Sequence, residues 1–406
     1  MTKYKNAPID WCPQIPSNWD YIRLKDIATL QSGKTFTADD LVENAPYPVY
    51  GGNGLRGYTN SYTNEGHYVL IGRQGALCGN INYADGKFFA TEHALVVYTK
   101  HQEVVNWLGE TLRTANFNRL STTAAQPGLA AGVLKNQFIP YPPLETRKKI
   151  ALYINEKSKN IDRKITLLTQ KQECYLRLKK TLINRTVCHG LNPNAKMKDS
   201  GIKWIGKVPN NWSALRFKDV FKKYTTGITP ESKKESNYCL DSPFPWITIA
   251  DMTKRNLTIS NLCLSEKTIR EKNPPLTPKG SLLFSFKLSI GKTAFAGKDL
   301  YTNEAIVSIY PSDGYNLTYM YYYLPLVCQN NATENIYGAK MLNQKIIANM
   351  KLCIPPLAEQ ETIANYLDDK CSKIDTIVEN ISEEINLLGK LKKSLINEVI
   401  TGKRTV

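Results

Sequence analysis

The sequence predicts an α+β protein: two mixed α/β domains separated by two long antiparallel α-helices of coiled-coil type, with an internal pseudo-two-fold repeat. Three observations carry this. The chain repeats itself, two long segments show a helical apolar seam, and the remainder holds short apolar runs bounded by turns.

The repeat comes first. Ile9, Trp11, Pro16, Asn18, Trp19, Arg23, Lys25 and Asp26 recur 193 residues later as Ile202, Trp204, Pro209, Asn211, Trp212, Arg216, Lys218 and Asp219. Gly33-Lys34-Thr35 is answered by Gly227-Ile228-Thr229 at 194, and Thr91, Ala94 and Val96 by Thr302, Ala305 and Val307 at 211. Pro142-Pro143-Leu144 returns as Pro355-Pro356-Leu357 at 213, the offset that also relates 178–184 to 391–397. The second half therefore carries extra residues in its middle. The ends of the halves match well and the middles poorly. Duplicated frames holding two different readers explain this; relaxed selection on loops is the alternative.

Domain bounds follow as 1–143, 144–190, 191–356 and 357–406. Residues 144–190 and 357–406 lack proline, follow Pro-Pro pairs and run into Gly190 and Gly402, sensible helix stops. Their apolar positions step by three and four: Ile150, Ile154, Ile161, Ile165 and Leu168, then Tyr175, Leu178 and Leu182, in the first. In the second they are Ile363, Leu367, Ile374, Val378 and Ile381, continuing through Leu388, Leu391 and Leu395. Forty helical residues make a rod of about 60 Å. Residues 147–185 hold twelve basic and three acidic residues; residues 359–398 hold five basic and nine acidic. Opposite charge favours pairing of the two helices with each other, the alternative being that each packs on its own domain.

In the domains, Tyr68–Ile71, Ala94–Tyr98, Ser281–Ser285 and Ala305–Tyr310 read as strands, Leu108–Leu120 and Met320–Val327 as short helices, and Gly51–Gly54 as a turn.

Composition narrows function. The 406 residues include 53 Lys and Arg against 36 Asp and Glu, a net charge of +17, and are 42% hydrophobic. This is a globular chain with a polyanionic partner or surface. It lacks an apolar run of membrane-spanning length, and its N-terminus lacks the apolar stretch of a secretory signal. Nine scattered cysteines without a C-x-x-C pair argue against disulfide or zinc frameworks and for a reducing cytoplasm.

Chemistry is sought and not found. Gly33-Lys34-Thr35 and Gly291-Lys292-Thr293 resemble a P-loop tail, but Ala28 and Phe286 stand where the motif needs glycine. Asn273-Pro274-Pro275-Leu276 resembles a methyltransferase base-holding tetrapeptide, yet Leu276 cannot stack on a flipped base. His67, His93, His101 and His189 show no ligand spacing, and Glu92-His93 reads as a structural polar pair. No metal site is expected. Binding remains. Loops that mix basic, amide and aromatic residues offer Asn53, Arg56, Tyr58, Arg73, Gln74, Asn80 and Gln126 in the first domain. The second offers Lys287, Lys292, Tyr337, Lys340, Asn343 and Gln344. Arg and Lys suit guanine edges, and Asn and Gln adenine edges, in the major groove.

At this point the chain resembles the specificity subunit of a type I restriction-modification system. The residues that carry the resemblance are Trp204–Trp212 with Arg216 and Lys218-Asp219, their first-half copy, Tyr50–Gly54 and Ile71–Gly75. Pro355–Gln360, Ile363-Ala364 and Lys373–Asp375 complete it, and Glu145-Thr146-Arg147 departs from the second copy's Ala358-Glu359-Gln360. The resemblance implies two target-recognition domains, each reading half of a split site in double-stranded DNA. It implies helices that fix the half-site spacing and dock two methyltransferase (modification) subunits, joined by the motor-nuclease (restriction) subunits. No cofactor is then expected on this chain; S-adenosylmethionine, ATP and magnesium belong to the partners. A coiled-coil adaptor without a DNA role and a part of a fused methyltransferase-specificity protein are the alternatives.

Overall fold

The computed structural model describes residues 3–75, 77–121, 128–231, 235–240, 242–287, 289–334 and 340–406. The chain forms two compact units. One comprises residues 1–170 with 381–406, the other residues 171–380. Each unit thus holds one domain and a segment of both long helices.

In the first unit, Ala28–Ser32, Ala94–Thr99, Tyr68–Gly72 and Ile81–Ala84 form an antiparallel sheet in that order. Successive strand residues point to opposite faces. Val69, Ile71, Leu95 and Val97 pack with Trp107, Leu108 and Leu112 of the helix Val105–Ala115. Leu70 and Val96 turn the other way, onto Phe88, Ala84 and Ala90. Both faces are covered, which is why the strands read as unbroken apolar runs. A second sheet orders Gly54–Thr59, Tyr47–Gly51, Lys87–Ala90 and Asn64–Glu65. The helix read as Leu108–Leu120 starts at Val105 and stops at Asn116, whose φ of 48° breaks it; a 3-10 turn follows over Phe117–Leu120.

The second unit repeats the plan. Tyr224–Thr226, Ile306–Ile309, Leu282–Ser285, Thr293–Ala296 and Asn256–Leu257 form one sheet in that order. Leu282, Phe284, Val307 and Ile309 face Tyr319, Tyr323 and Val327 of the helix Leu317–Asn331. That helix runs longer than the stretch read from sequence and contains Pro325. Proline has no N–H for the carbonyl four residues earlier. The Thr293 hydroxyl donates to that Tyr321 carbonyl instead, at 3.1 Å.

The well-matched ends of each half prove to be one frame. In the first unit Asp20–Arg23 pairs with Phe138–Tyr141, and in the second Ser213–Arg216 pairs with Lys351–Ile354. Segments far apart in sequence thus close each domain as a ribbon.

The long helices span Leu144–His189 and Leu357–Ile400. Their starts differ in sequence and agree in bonding. Buried Arg147 donates from Nε to the Pro142 carbonyl at 3.1 Å, and buried Gln360 donates from Nε2 to the Pro355 carbonyl at 2.9 Å. Arg147 also lies over Tyr141 and Trp107, 4.1 and 5.3 Å from the ring centroids. Gly190 and Gly402, each with φ of 74°, end the helices. Gly190 sits against Trp212 and Pro209, Gly402 against Trp19 and Pro16. The second helix therefore finishes inside the first unit: Val399 and Ile400 share a core with Ile9, Ile15 and Trp19, and the Tyr4 hydroxyl donates to the Gly402 carbonyl at 3.2 Å.

Within each unit the helix segments run antiparallel. In the first, Lys392 meets Asp162 at 2.6 Å and Lys164 meets Glu384 at 2.8 Å. In the second, Lys179 meets Asp375 at 2.6 Å and Gln172 Nε2 donates to the Val378 carbonyl at 3.4 Å. Such exposed pairs contribute about 0.2–1 kcal/mol each, so they set register more than stability. The two alternatives for the seam both hold, at different places. Ile150 and Ile154 enter the first domain's core, and Ile363 and Leu367 the second's. Ile374 and Ile381 are buried, while Ile161, Ile165, Leu168 and Val378 are half-buried. Leu178 and Leu391 lie outside the seam: they are 52% and 48% exposed, because the helical phase carries those positions off the pairing face.

Candidate nucleic-acid interface

The first unit gathers several of its expected readers through two glycine-rich loops. A Cβ on Gly72 would fall 1.8 Å from the Gly52 carbonyl oxygen, and one on Gly52 would lie 3.1 Å from that of Gln74. Only glycine lets the 51–54 turn and the 72–75 loop cross this closely. The crossing brings Asn53, Arg73, Gln74 and Asn80 together, with the Asn80 amide donating to Asn53 Oδ1 at 3.1 Å. Gln74 and Asn53 are exposed. Arg73 is half-buried: its Nη1 donates to the Ser32 hydroxyl at 2.7 Å and its backbone N–H to the His93 carbonyl at 3.0 Å. Arg56 and Tyr58 are exposed on the neighbouring strand, and the Arg56 stem lies over Gly51. Arg73 Nε, His93 Nδ1 and Asn82 Nδ2 are buried atoms without a hydrogen-bond partner among the described residues. Buried polar atoms are seldom left unpaired, so this loop cluster has bonding capacity to spare. Gln126 lies outside the described residues.

In the second unit the Leu342 N–H donates to the Phe286 carbonyl at 3.3 Å, joining the loop of Lys287 to the ribbon strand Lys340–Met341. Lys287 is half-buried, with Nζ 5.7 Å from the Phe286 ring centroid and 4.0 Å from Glu304 Oε1. Lys292 and Lys340 are exposed. Asn343 and Gln344 are exposed and each also bonds within the fold. Asn343 caps the helix Gln344–Asn349 by accepting from the Ile346 N–H at 2.8 Å, and Gln344 donates to the Thr226 hydroxyl at 3.1 Å. Tyr337 lies outside the described residues.

One brace behind these loops fits the structural reading of the Glu92-His93 pair, and sequence reading missed the other. Glu92 Oε2 accepts from the Phe36 N–H at 3.1 Å, and Glu304 accepts from the Thr229 hydroxyl. Glu92 lies one residue after the marker Thr91 and Glu304 two after Thr302, so the sequence repeat does not align the two glutamates. The rejected motifs also find their roles. Lys34 and Ile228 donate their N–H groups to the Ala90 and Thr302 carbonyls at 2.9 and 3.0 Å, so Gly33 and Gly227 serve close backbone crossings. Asn273, with φ of 42°, ends the helix Glu266–Lys272. Among the described residues no group of three His, Cys, Asp or Glu side chains could hold a metal ion, and no helix is long and apolar enough to cross a membrane.

Comparisons with known proteins converge. The family described as "Type I restriction modification DNA specificity domain" matches residues 16–173 and 209–387, the two halves of the repeat. The EcoprrI specificity subunit of Escherichia coli is 37% identical over 137 residues, 33% of this chain and 34% of that protein. The MjaIX specificity subunit of Methanocaldococcus jannaschii is likewise matched over 44% of its length. A putative type I specificity subunit of Haemophilus influenzae is 26% identical over 84% of this chain and 83% of its own. Two solved structures share the fold. One, from a study of complex assembly and conformational transition of the type I R-M system, has a TM-score of 0.71 at 17% identity, covering 95% of this chain and 98% of its own. The other, the HsdS subunit from Thermoanaerobacter tengcongensis, has a TM-score of 0.55 at 16% identity, covering 98% and 100%. The adaptor and fused-enzyme alternatives find no support in these matches. With its family matched over both copies of the repeat, the chain belongs to the type I restriction-modification DNA specificity domain family.

Proposed function

We propose that each unit of this subunit reads one half of a split DNA site in the major groove, and that the long helices fix the half-site spacing and dock two methyltransferase subunits. The carrying observation is one frame built twice around different loops. Lys and Arg of the loops position each domain on phosphates with salt-dependent affinity, while base contacts select. Leu167 and Leu387 on the helices are both 56% exposed and Leu391 48%, apolar area suited to covering by a partner. The motor-nuclease subunits join that complex in the cytoplasm. S-adenosylmethionine, ATP and magnesium are placed on the partners.

The test is an exchange. Replacing residues 20–140 with those of a relative, followed by methylome sequencing of the host, is expected to change one half of the methylated site and keep the other. A change in both halves would overturn the two-reader proposal.

Single residues divide the roles further. Lys340→Ala is expected to weaken DNA binding without affecting assembly. If Lys340 reads a base, the cost is about 1–3 kcal/mol with relaxed choice at one position; if it holds a phosphate, all sequences weaken alike and the salt slope falls by about one. Arg73→Ala adds a stability loss of about 1 kcal/mol, because the Ser32 hydroxyl loses its donor. Binding isotherms at several salt concentrations separate these outcomes.

A further inference from the structure

Around the crossing of the 51–54 turn and the 72–75 loop lie three polar residues of the first domain, Arg73, Asn82 and His93. The Arg73 N–H donates to the His93 carbonyl at 3.0 Å. A Cβ on Gly52 would lie 3.7 Å from His93 Cβ, and one on Gly54 would lie 3.0 Å from Asn82 Oδ1. All three residues are half-buried. Each keeps one buried nitrogen without a hydrogen-bond partner among the described residues: Arg73 Nε, Asn82 Nδ2 and His93 Nδ1. Their other ends are in part engaged, Arg73 Nη1 with the Ser32 hydroxyl at 2.7 Å and His93 Nε2 facing Glu92 Oε1 at 3.5 Å.

The second domain shows that the fold does not need polar groups there. Its backbone makes the same hydrogen bonds at this point. The Phe286 N–H donates to the Ala305 carbonyl at 3.0 Å, as Arg73 does to His93. The Leu342 N–H donates to the Phe286 carbonyl at 3.3 Å, as Leu129 does to the Arg73 carbonyl at 2.9 Å. Leu283 pairs with Ala294 as Leu70 pairs with Asn82. Arg73, Asn82 and His93 therefore answer Phe286, Ala294 and Ala305, which are 2%, 0% and 4% exposed and belong to the second domain's apolar cores. An apolar side chain at such a place adds stability, whereas a buried polar atom left unpaired subtracts from it. Three departures of this kind around one turn, next to the exposed Asn53 and Gln74, are the pattern of a functional site rather than of packing.

We infer that Arg73, Asn82 and His93 form a base-selecting site of the first domain that the second domain lacks, and that its target is the major-groove edge of guanine. The inference rests on the two-reader proposal. Guanine presents two acceptors, O6 and N7, and suits an arginine fork. The unpaired Arg73 and Asn82 nitrogens are donors, and the imidazole nitrogen is a donor in one of its tautomers. Each side chain already reaches the surface in part, so rotation about its own bonds brings the idle nitrogen to a bound base without refolding the loops. The second domain keeps the outer positions alone: Lys292 answers Asn80, the carbonyl of each accepting at 2.9 Å, from the Ser285 and Gly72 N–H groups respectively. Two readers on one frame thus differ at named places.

The test uses the subunit assembled with its methyltransferase subunits. The probes are duplexes carrying the host's methylated site and its single-base variants at every specified position; the exchange of residues 20–140 identifies the first domain's half-site. The wild-type complex is expected to lose about tenfold in affinity on each changed duplex. Asn82→Ala and His93→Ala should cut that loss to about threefold or less at one G·C pair of the first half-site and leave the second half-site's losses as they were. Both should melt no lower than the wild type, since the second domain folds with alanine at the two places. Arg73→Lys, which keeps a charge for a phosphate and gives up the fork, should relax the same pair. Full discrimination at every position in these variants overturns the inference, as does relaxation at A·T pairs alone. Loss of discrimination in both half-sites together marks general damage and overturns it too. If one alanine variant does not fold, the other decides by the same criteria; failure of both shows that the pair holds the domain together and overturns the inference. An exchange of residues 20–140 that alters both half-sites would instead overturn the two-reader proposal.

Discussion

Aspartate at both Ile374 and Ile381 is expected to abolish co-purification with methyltransferase subunits and to lower the melting temperature sharply. These side chains are 7% and 5% exposed, the most buried of the expected seam positions outside the two domain cores. Removing a buried isoleucine costs about 2–5 kcal/mol, and an unpaired carboxylate in its place adds desolvation unless it takes up a proton. Two such changes approach the whole stability of a domain, about 5–15 kcal/mol. Aspartate at the exposed Leu167 and Leu387 gives the contrast: the chain should melt normally and still bind the partner poorly. A normal complex from the Ile374, Ile381 double variant would sink the proposal that the helical pair organises assembly.

Gly227→Ala is expected to prevent folding of the second domain. The added Cβ would lie 1.7 Å from the Thr302 carbonyl oxygen and 2.3 Å from its carbon. These are backbone atoms of a sheet strand and cannot swing aside as a side-chain tip can. Ordinary overpacking costs about 1–3 kcal/mol; here the strand crossing itself must open, so the loss should exceed that range. Gly33→Ala, with its Cβ 2.1 Å from the Ala90 oxygen, should do the same to the first domain. Gly389→Ala is the control of opposite sign. It lies within the second long helix with nothing within 4 Å of the added carbon, and should stabilise by roughly 0.5–1 kcal/mol. Denaturation curves of the three variants check both signs.

The frame was legible because its physics is local or repeated. The helical seams show in a periodicity of three and four, and the ribbons closing each domain show as matched ends. The loop crossings were not legible, because Gly52 over Gly72 and Gly227 over Thr302 are contacts between distant backbones. A glycine-rich string in one segment does not name the segment it will touch. Residue type does not name one role at Asn343 and Gln344: an amide suits an adenine edge, and it also suits a helix cap and a threonine hydroxyl. The cap had its own sequence sign, an asparagine one residue before the helix and three before its first apolar pair, Ile346-Ile347. Comparing letters also hid an agreement. Arg147 and Gln360 differ in size and charge, yet both reach back five residues to the carbonyl of the first proline in a Pro-Pro pair.

The return of the second helix to the first unit orders the events of synthesis. Residues 171–380 form a continuous stretch, so the second unit has all its parts once residue 380 clears the ribosome. The first unit, although made first, still lacks Val399 and Ile400, which fill its core beside Ile9, Ile15 and Trp19. At about 5–20 residues per second, some 230 residues separate Gln170 from those two, a wait of roughly 10–45 s. For that time the nascent first domain shows an unfilled apolar site to the cell. A translation product cut short before Val399 would be left with that site open.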